Sequence, residues 1–167
     1  MFDYLGELFA QGGAVMPWIL LLSLIMWALI LERYWFLSIE YPRLFARVQH
    51  AWSRRSEYRS RTARRLRAQR IAMLSMQARH NLPFIRMLIQ VLPFLGLLGT
   101  VSGLIHTFEV ITAFGGNNRS GIAAGISEAL IATLTGLLCA ISGLYFSVNL
   151  DSRSTLAQEQ AETLQRE

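Results

Sequence analysis

The chain has 167 residues, of which 53% are hydrophobic and 16% are charged. This composition is typical of membrane proteins and argues against a soluble enzyme. The formal net charge is +5, and every basic residue is an Arg. A single Cys, Cys139, excludes an internal disulfide and a Cys-x-x-Cys metal or redox motif, so we expect no metal and no cofactor.

Three stretches of the chain carry no Asp, Glu or Arg: residues 8–31, 87–108 and 129–150. A bilayer core of about 30 Å needs about 20 consecutive apolar residues in a helix. The sequence therefore predicts an all-α integral membrane protein with three transmembrane helices. The first helix is preceded by Asp3 and Glu7 rather than by Arg, so we interpret residues 1–35 as an N-terminus with a retained transmembrane helix and not as a cleaved signal peptide.

The charge of the segment after the first helix sets the predicted orientation. Residues 33–86 contain thirteen Arg and two Glu. Short segments rich in Arg stay in the cytoplasm. We therefore predict that residues 36–86 form a basic, helical cytoplasmic loop, and that the chain is oriented N-out/C-in.

The densest basic run, residues 54–70, has two interpretations. Such a run can bind nucleic acid, but basic runs are unspecific signals. Charge that sets topology and rests on lipid headgroups explains it without a further ligand. We therefore expect membrane lipid, and no nucleic acid, as a partner.

The second and third helices are expected within residues 87–150, joined by a short outer turn at 109–127. On a helical wheel each has a Leu-rich face and a face of small and polar residues. That second face can serve tight helix packing or can line a pore in a homo-oligomer. Packing is expected at Gly96, Gly99, Gly103, Ala132, Gly136 and Ala140, and possible pore-facing positions are Ser102, His106, Thr107 and Thr135.

Two hydroxyls in these helices are predicted at similar depth. Thr100 lies about 12 Å from the outer end of its helix, and Thr133 about 8 Å inside Glu128. The tail, residues 151–167, contains good helix formers and is predicted to extend the third helix into the cytoplasm.

Two segments in the second half carry a resemblance to a known family. LGLLGTVSGLIHTF, at residues 95–108, and GISEALIATLTGLLCAISG, at residues 125–143, resemble the two pore-lining helices of the MotA/TolQ/ExbB proton channel family. The resemblance implies a subunit of a pentamer in the bacterial inner membrane. It also implies a pore that holds the single-span helices of an ExbD-type partner dimer, and use of the proton-motive force to drive a TonB-type protein in siderophore uptake.

The resemblance also implies site residues. Thr100 matches the pore threonine of the second helix, and Thr133 and Glu128 match the threonine and glutamate of the third. The chain is shorter than the usual ExbB or TolQ and is most similar to a short ExbB of an accessory, second TonB system. Ser102 stands where the family commonly has Trp, and His106 where it commonly has Asn. A TolQ-like subunit of a Tol-Pal envelope-integrity motor is the alternative, whereas the length disfavours a flagellar stator.

The predicted helices lack a titratable group at the centre of the membrane, where such groups are costly. We therefore expect Thr100 and Thr133 to line the proton pathway while a partner supplies the carboxylate. Glu128 is either a pore-mouth cation site or an interfacial acid in a helix capped by Ser120. His106 is either a pH-sensitive gate or a histidine held neutral by burial.

Two other classes of protein remain to be weighed. A membrane scaffold would use the small residues only for packing and would tolerate Thr100→Val and Thr133→Val. An intramembrane enzyme would need a nucleophile and a base, and Ser102 and His106 lie one turn apart. No glycine-framed nucleophile motif accompanies them, so we expect no catalytic residue and no enzyme activity.

Overall fold

A computed structural model describes residues 12–44, 46, 73, 76, 79–114 and 118–166, with side chains as far as Glu159. Helix α1 is Met16–Trp35 and continues into a π-helical segment, Phe36–Glu40. Helix α2 is Leu82–Phe114, and helix α3 is Arg119–Arg166. The Arg-rich run at 54–70, and the predicted start of the first transmembrane helix at residue 8, lie outside the described residues.

Three helical stretches are long and apolar enough to cross a membrane: Met16–Leu44, Leu82–Phe114 and Arg119–Glu159. Helix α2 extends past both ends of its uncharged stretch, beyond Arg86 at one end and beyond Glu109 at the other. Charged residues are good helix formers, so they limit the length that lies in lipid and not the length of the helix. Much of the predicted 109–127 turn is helical for the same reason.

The N-terminus of α3 differs from the sequence interpretation. Asn118, and not Ser120, is the capping residue. The Asn118 side-chain oxygen accepts a hydrogen bond from the Gly121 N–H at 3.1 Å, and its carbonyl accepts one from the Ile122 N–H at 3.2 Å. Asn and Ser are comparable caps, and the helix begins at Arg119, two residues earlier than it would with Ser120 as the cap.

The chain divides into two units, each with its own packing. The first contains Met1–Trp27 and Arg86–Leu144. Within it, α2 and α3 meet along small residues, which we call the α2–α3 seam. A Cβ added at Gly103 would lie 2.9 Å from the Gly125 carbonyl oxygen, and one at Gly136 would lie 2.8 Å from the Leu92 carbonyl oxygen. The seam comprises Gly96, Gly99 and Gly103 of α2 and Ala129, Ala132 and Gly136 of α3, all buried.

Part of α1 packs against the same unit. Met26 of α1 contacts Gly143, and Val15, just before α1, lies beside Gly99. Pro93 interrupts the backbone hydrogen bonds of α2 because proline has no N–H to donate to the Ile89 carbonyl. Large apolar side chains on the outward faces of α2 and α3 are exposed, as expected for surfaces that meet lipid or another subunit. They include Leu97, Leu98, Val101, Leu104, Phe108, Leu130, Leu134, Leu137 and Leu138.

The second unit contains Ala28–Ile85 and Tyr145–Glu167. Here longer side chains join the helices. The Tyr41 hydroxyl donates to the Ala157 carbonyl at 2.5 Å in a buried setting. The Tyr34 hydroxyl donates to Asn149 Oδ1 at 2.9 Å, and Arg153 Nε donates to the same oxygen at 3.0 Å.

Candidate functional site

Two threonines and one backbone carbonyl form a polar group between α2 and α3. The Thr133 hydroxyl donates across the seam to the Gly96 carbonyl at 2.9 Å. The Thr100 hydroxyl lies 3.3 Å from the same carbonyl and is hydrogen-bonded to the Thr133 hydroxyl. We call these three groups the hydroxyl cluster.

Gly96 makes this arrangement possible. A Cβ at position 96 would lie 3.1 Å from Thr133 Cα and 3.2 Å from the Ala132 carbonyl oxygen. Because glycine has no side chain, the backbones of α2 and α3 can approach closely at this position. This close approach brings a side chain of α3 within hydrogen-bonding distance of a carbonyl of α2, a contact typical of packed membrane helices.

The protons of the hydroxyl cluster can be counted. Each threonine hydroxyl has one proton to donate and can accept through two lone pairs. Either hydroxyl can donate to the other, and each can donate to the Gly96 carbonyl. In each of these arrangements both protons are used inside the cluster, so only lone pairs remain available to a further hydrogen-bonding group. The cluster is an acceptor of hydrogen bonds.

The hydroxyl cluster lies at one edge of the α2–α3 seam. Thr100 and Thr133 are half-buried. Around α3, Glu128, which contacts the turn before α1, lies about 140° from Thr133, beyond the seam residue Ala132 at about 100° in the same sense of rotation. The cluster and Glu128 are therefore on opposite edges of the seam.

Other predicted pore positions lie outside the cluster. The Thr107 hydroxyl is buried and donates to the Gly103 carbonyl at 2.8 Å, and the half-buried Thr135 hydroxyl donates to Ile131 at 2.8 Å. Ser102 is half-buried. His106 is exposed, with its Nδ1 3.7 Å from Oε2 of the exposed Glu109.

Glu128 also lies apart from the hydroxyl cluster. Its side chain reaches Gly13, in the turn before α1. A Cβ at Gly13 would overlap the Glu128 carboxylate and would lie 2.9 Å from Glu128 Cγ. This contact was missed by the sequence interpretation, although the Gly12-Gly13 pair is a turn signal.

Metal binding has no support in the described part of the chain, where no group of three or more His, Cys, Asp or Glu side chains converges.

The six predicted packing residues, Gly96, Gly99, Gly103, Ala132, Gly136 and Ala140, are all buried. The hydroxyl cluster is therefore a hydrogen-bond acceptor that lies between two apolar helices, α2 and α3.

Three helices able to span a membrane, two of them packed along a small-residue seam, define a multi-pass membrane protein. Residues 38–163 match the MotA/TolQ/ExbB proton channel family. The chain belongs to this family.

Individual relatives agree with that assignment. An ExbB-like protein 1 of Synechocystis is 33% identical over 81% of this chain and 66% of its own length. TolQ of the Tol-Pal system of Haemophilus influenzae is 40% identical over 37% of this chain and 27% of its own length. The biopolymer transport protein ExbB of Salmonella typhimurium is 47% identical over 29% of this chain and 20% of its own length. The chain thus covers less than two thirds of the length of these relatives.

Proposed function

We propose that this chain is the channel subunit of an inner-membrane motor that uses the proton-motive force to energise TonB-dependent outer-membrane transport, such as siderophore uptake. Family membership and the similarity to ExbB proteins support the class of function. The observation that carries the residue assignment is the hydroxyl cluster, because it places an acceptor pair in helices that have no carboxylate of their own at that depth.

In this proposal an ExbD-type partner dimer supplies the titrating carboxylate. A protonated carboxyl can donate to the acceptor lone pairs of Thr100 or Thr133, whereas an ionised carboxylate finds no free donor there. The cluster therefore holds the partner's acid in its neutral form and releases it after the proton leaves. Binding that depends on protonation in this way couples proton transfer to movement of the partner.

The proposed assembly is a homo-oligomer, a pentamer, in which α2 and α3 line the pore. The edge of the seam that carries the hydroxyl cluster faces the partner in this arrangement, and the exposed leucine faces meet lipid or the neighbouring subunit. Orientation is N-out/C-in, from the Arg count of residues 33–86. A TonB-type protein receives the motion on the periplasmic side.

The test of the proposal is a pair of substitutions two residues apart on α3. Thr133→Val keeps the side-chain shape but removes the donor to Gly96 and the acceptor for Thr100. We expect at least tenfold slower proton-driven iron-siderophore uptake in cells that carry only this variant. Thr135→Val is the matched control, because among the residues that the structure describes the Thr135 hydroxyl bonds to the Ile131 carbonyl of its own helix. We expect it to retain uptake, and a loss would support the pore-facing role predicted for Thr135.

Two further variants complete the test. Thr133→Ser restores the hydroxyl and should recover most uptake. Thr100→Val should be milder than Thr133→Val, because Thr133 still bonds the Gly96 carbonyl. Membrane insertion and complex assembly are measured in parallel. Normal uptake and normal envelope integrity with Thr133→Val would favour the scaffold interpretation, in which the hydroxyls serve only packing.

The similarity to TolQ of Haemophilus influenzae supports a second candidate function. A TolQ-like subunit would act in envelope integrity and not in uptake. The same Thr133→Val cells would then keep siderophore uptake but become sensitive to detergents and leak periplasmic proteins. The two functions are therefore separated by one set of strains.

A further inference from the structure

The turn before α1 is built around a glycine whose backbone conformation other residues rarely adopt. Gly13 has a φ of +68°, in the left-handed region that favours glycine. Its carbonyl accepts the Met16 N–H at 3.2 Å, which closes the turn that leads into α1. The missing Cβ also leaves the space that the Glu128 carboxylate fills. Two separate requirements for glycine thus coincide at one position.

The electrostatic setting favours this contact. The first N–H groups of a helix have no acceptor within the helix, and the N-terminus carries a partial positive charge. The Glu128 carboxylate lies beside the turn that precedes α1, where negative charge is favourable. Glu128 itself projects from the first third of α3, one residue before Ala129 of the α2–α3 seam.

We propose that Glu128 is a positioning residue that fixes the start of α1 against α3, and not a proton carrier of the pore. It thereby holds the turn before α1 on the side of α3 that lies about 140° from Thr133, and it leaves the edge with Thr100 and Thr133 free for the partner. The part of this inference that concerns transport rests on the proposed function, whereas the contact itself does not.

The proposal makes a prediction about side-chain reach. Gln has the same length as Glu and can occupy the same space against Gly13, but it cannot carry a proton as a carboxylate does. Asp can carry a proton, but it is one methylene shorter and withdraws from Gly13. A positioning role therefore predicts that Glu128→Gln is the better tolerated substitution, and a proton-carrying role predicts the reverse.

The first experiment tests the contact without any transport measurement. In a Cys139→Ser background, Gly13→Cys is combined with Glu128→Cys or, as a control at the same depth, with Ser127→Cys and Glu128→Ala, because the alanine removes the same overlap with a Cβ at residue 13. Because a Cβ at residue 13 would lie 2.9 Å from Glu128 Cγ, the sulfurs of the first pair can meet in a disulfide. We expect at least fivefold more oxidative crosslinking in the 13/128 pair than in the 13/127 pair. Equal crosslinking would overturn the proposal.

The second experiment measures siderophore uptake of Glu128→Gln and Glu128→Asp, with Thr133→Val alongside. We expect Glu128→Gln to retain at least half of the wild-type rate and Glu128→Asp to fall at least fivefold. Any other order overturns the positioning role. Wild-type uptake by Thr133→Val would instead count against the proposed function, and the crosslinking result would still decide whether Glu128 holds the α1 turn.

Discussion

The two units of the chain join their helices by different means. In the first unit, α2 and α3 meet through glycines and alanines, and a Cβ added at Gly103 or Gly136 would come within 2.9 Å of a backbone carbonyl of the facing helix. In the second unit, tyrosine, asparagine and arginine side chains make the contacts, as at Tyr41 with Ala157. The helices of the first unit are thus held together mainly by close backbone packing at small residues, and those of the second unit by side-chain hydrogen bonds.

This difference has an energetic reason. Between helices in lipid, the gain on association comes from close van der Waals packing, because lipid is as apolar as a leucine side chain. Small residues increase that packing. Where helices leave the apolar layer, water competes for polar groups, and only a buried hydrogen bond adds appreciable stability. The two units should therefore respond differently to substitution.

The largest effect is expected at the α2–α3 seam. Gly103→Ala places a Cβ 2.9 Å from both the Ala129 nitrogen and the Gly125 carbonyl oxygen, and neither backbone atom can move alone. We expect a loss of about 1–3 kcal/mol in the free energy of unfolding, the usual range for overpacking. Thermal unfolding of the purified protein in detergent measures it.

The matched control is Gly121→Ala. A Cβ added at Gly121 would meet the ends of the Asn118 and Val110 side chains at 2.8 Å. Rotation of Asn118 weakens the cap of α3, whereas alanine favours the helix over glycine. We therefore expect a loss of less than about 1 kcal/mol, smaller than at Gly103. If Gly121→Ala were as damaging as Gly103→Ala, contact with backbone would not be what distinguishes the seam.

A smaller effect is expected in the second unit. Tyr41→Phe removes a buried donor and leaves the Ala157 carbonyl without it, which should cost about 1 kcal/mol. Tyr34→Phe removes a hydrogen bond to the exposed Asn149 and should stay within about 0.5 kcal/mol of wild type. The same thermal unfolding measurement decides, and an equal loss in the two variants would show that burial is not the controlling factor.

The smallest effect should be of the opposite sign. Ser154 is fully buried, and its hydroxyl has no hydrogen-bond partner among the residues that the structure describes. Ser154→Ala removes a desolvated polar atom, so we expect a gain of between zero and about 1 kcal/mol. A clear loss of thermal stability would indicate that the hydroxyl has a partner after all.

The number and order of the membrane-spanning helices could be predicted from the sequence, because charge and hydropathy indicate directly which residues can lie in lipid. The three stretches chosen for lack of charge correspond to the three helices able to span a membrane. The helix ends were not accessible in this way. Arg86 and Glu109 are compatible with helix, and the choice between Asn118 and Ser120 as cap depends on backbone geometry that composition does not encode.

The candidate site was partly accessible. Helical rise places Thr100 and Thr133 at similar depth, and in the structure their hydroxyls meet. Their shared acceptor, the Gly96 carbonyl, is a backbone atom and leaves no signature in a list of polar residues. The contact of Glu128 with Gly13 depends on how the turn before α1 folds back, which no periodic pattern specifies. The pore roles of Ser102, His106, Thr107 and Thr135 stay predictions.

Pro93 lies in α2 about one turn before Gly96, whose carbonyl belongs to the hydroxyl cluster. Because Pro93 has no N–H, the backbone of α2 is weakest about one turn before Gly96, and a helix bends most easily at such a position. The Thr133 hydroxyl binds α2 on the far side of this weak point. The hydrogen bond from Thr133 to the Gly96 carbonyl therefore holds α2 to α3 beside the position at which α2 bends most easily.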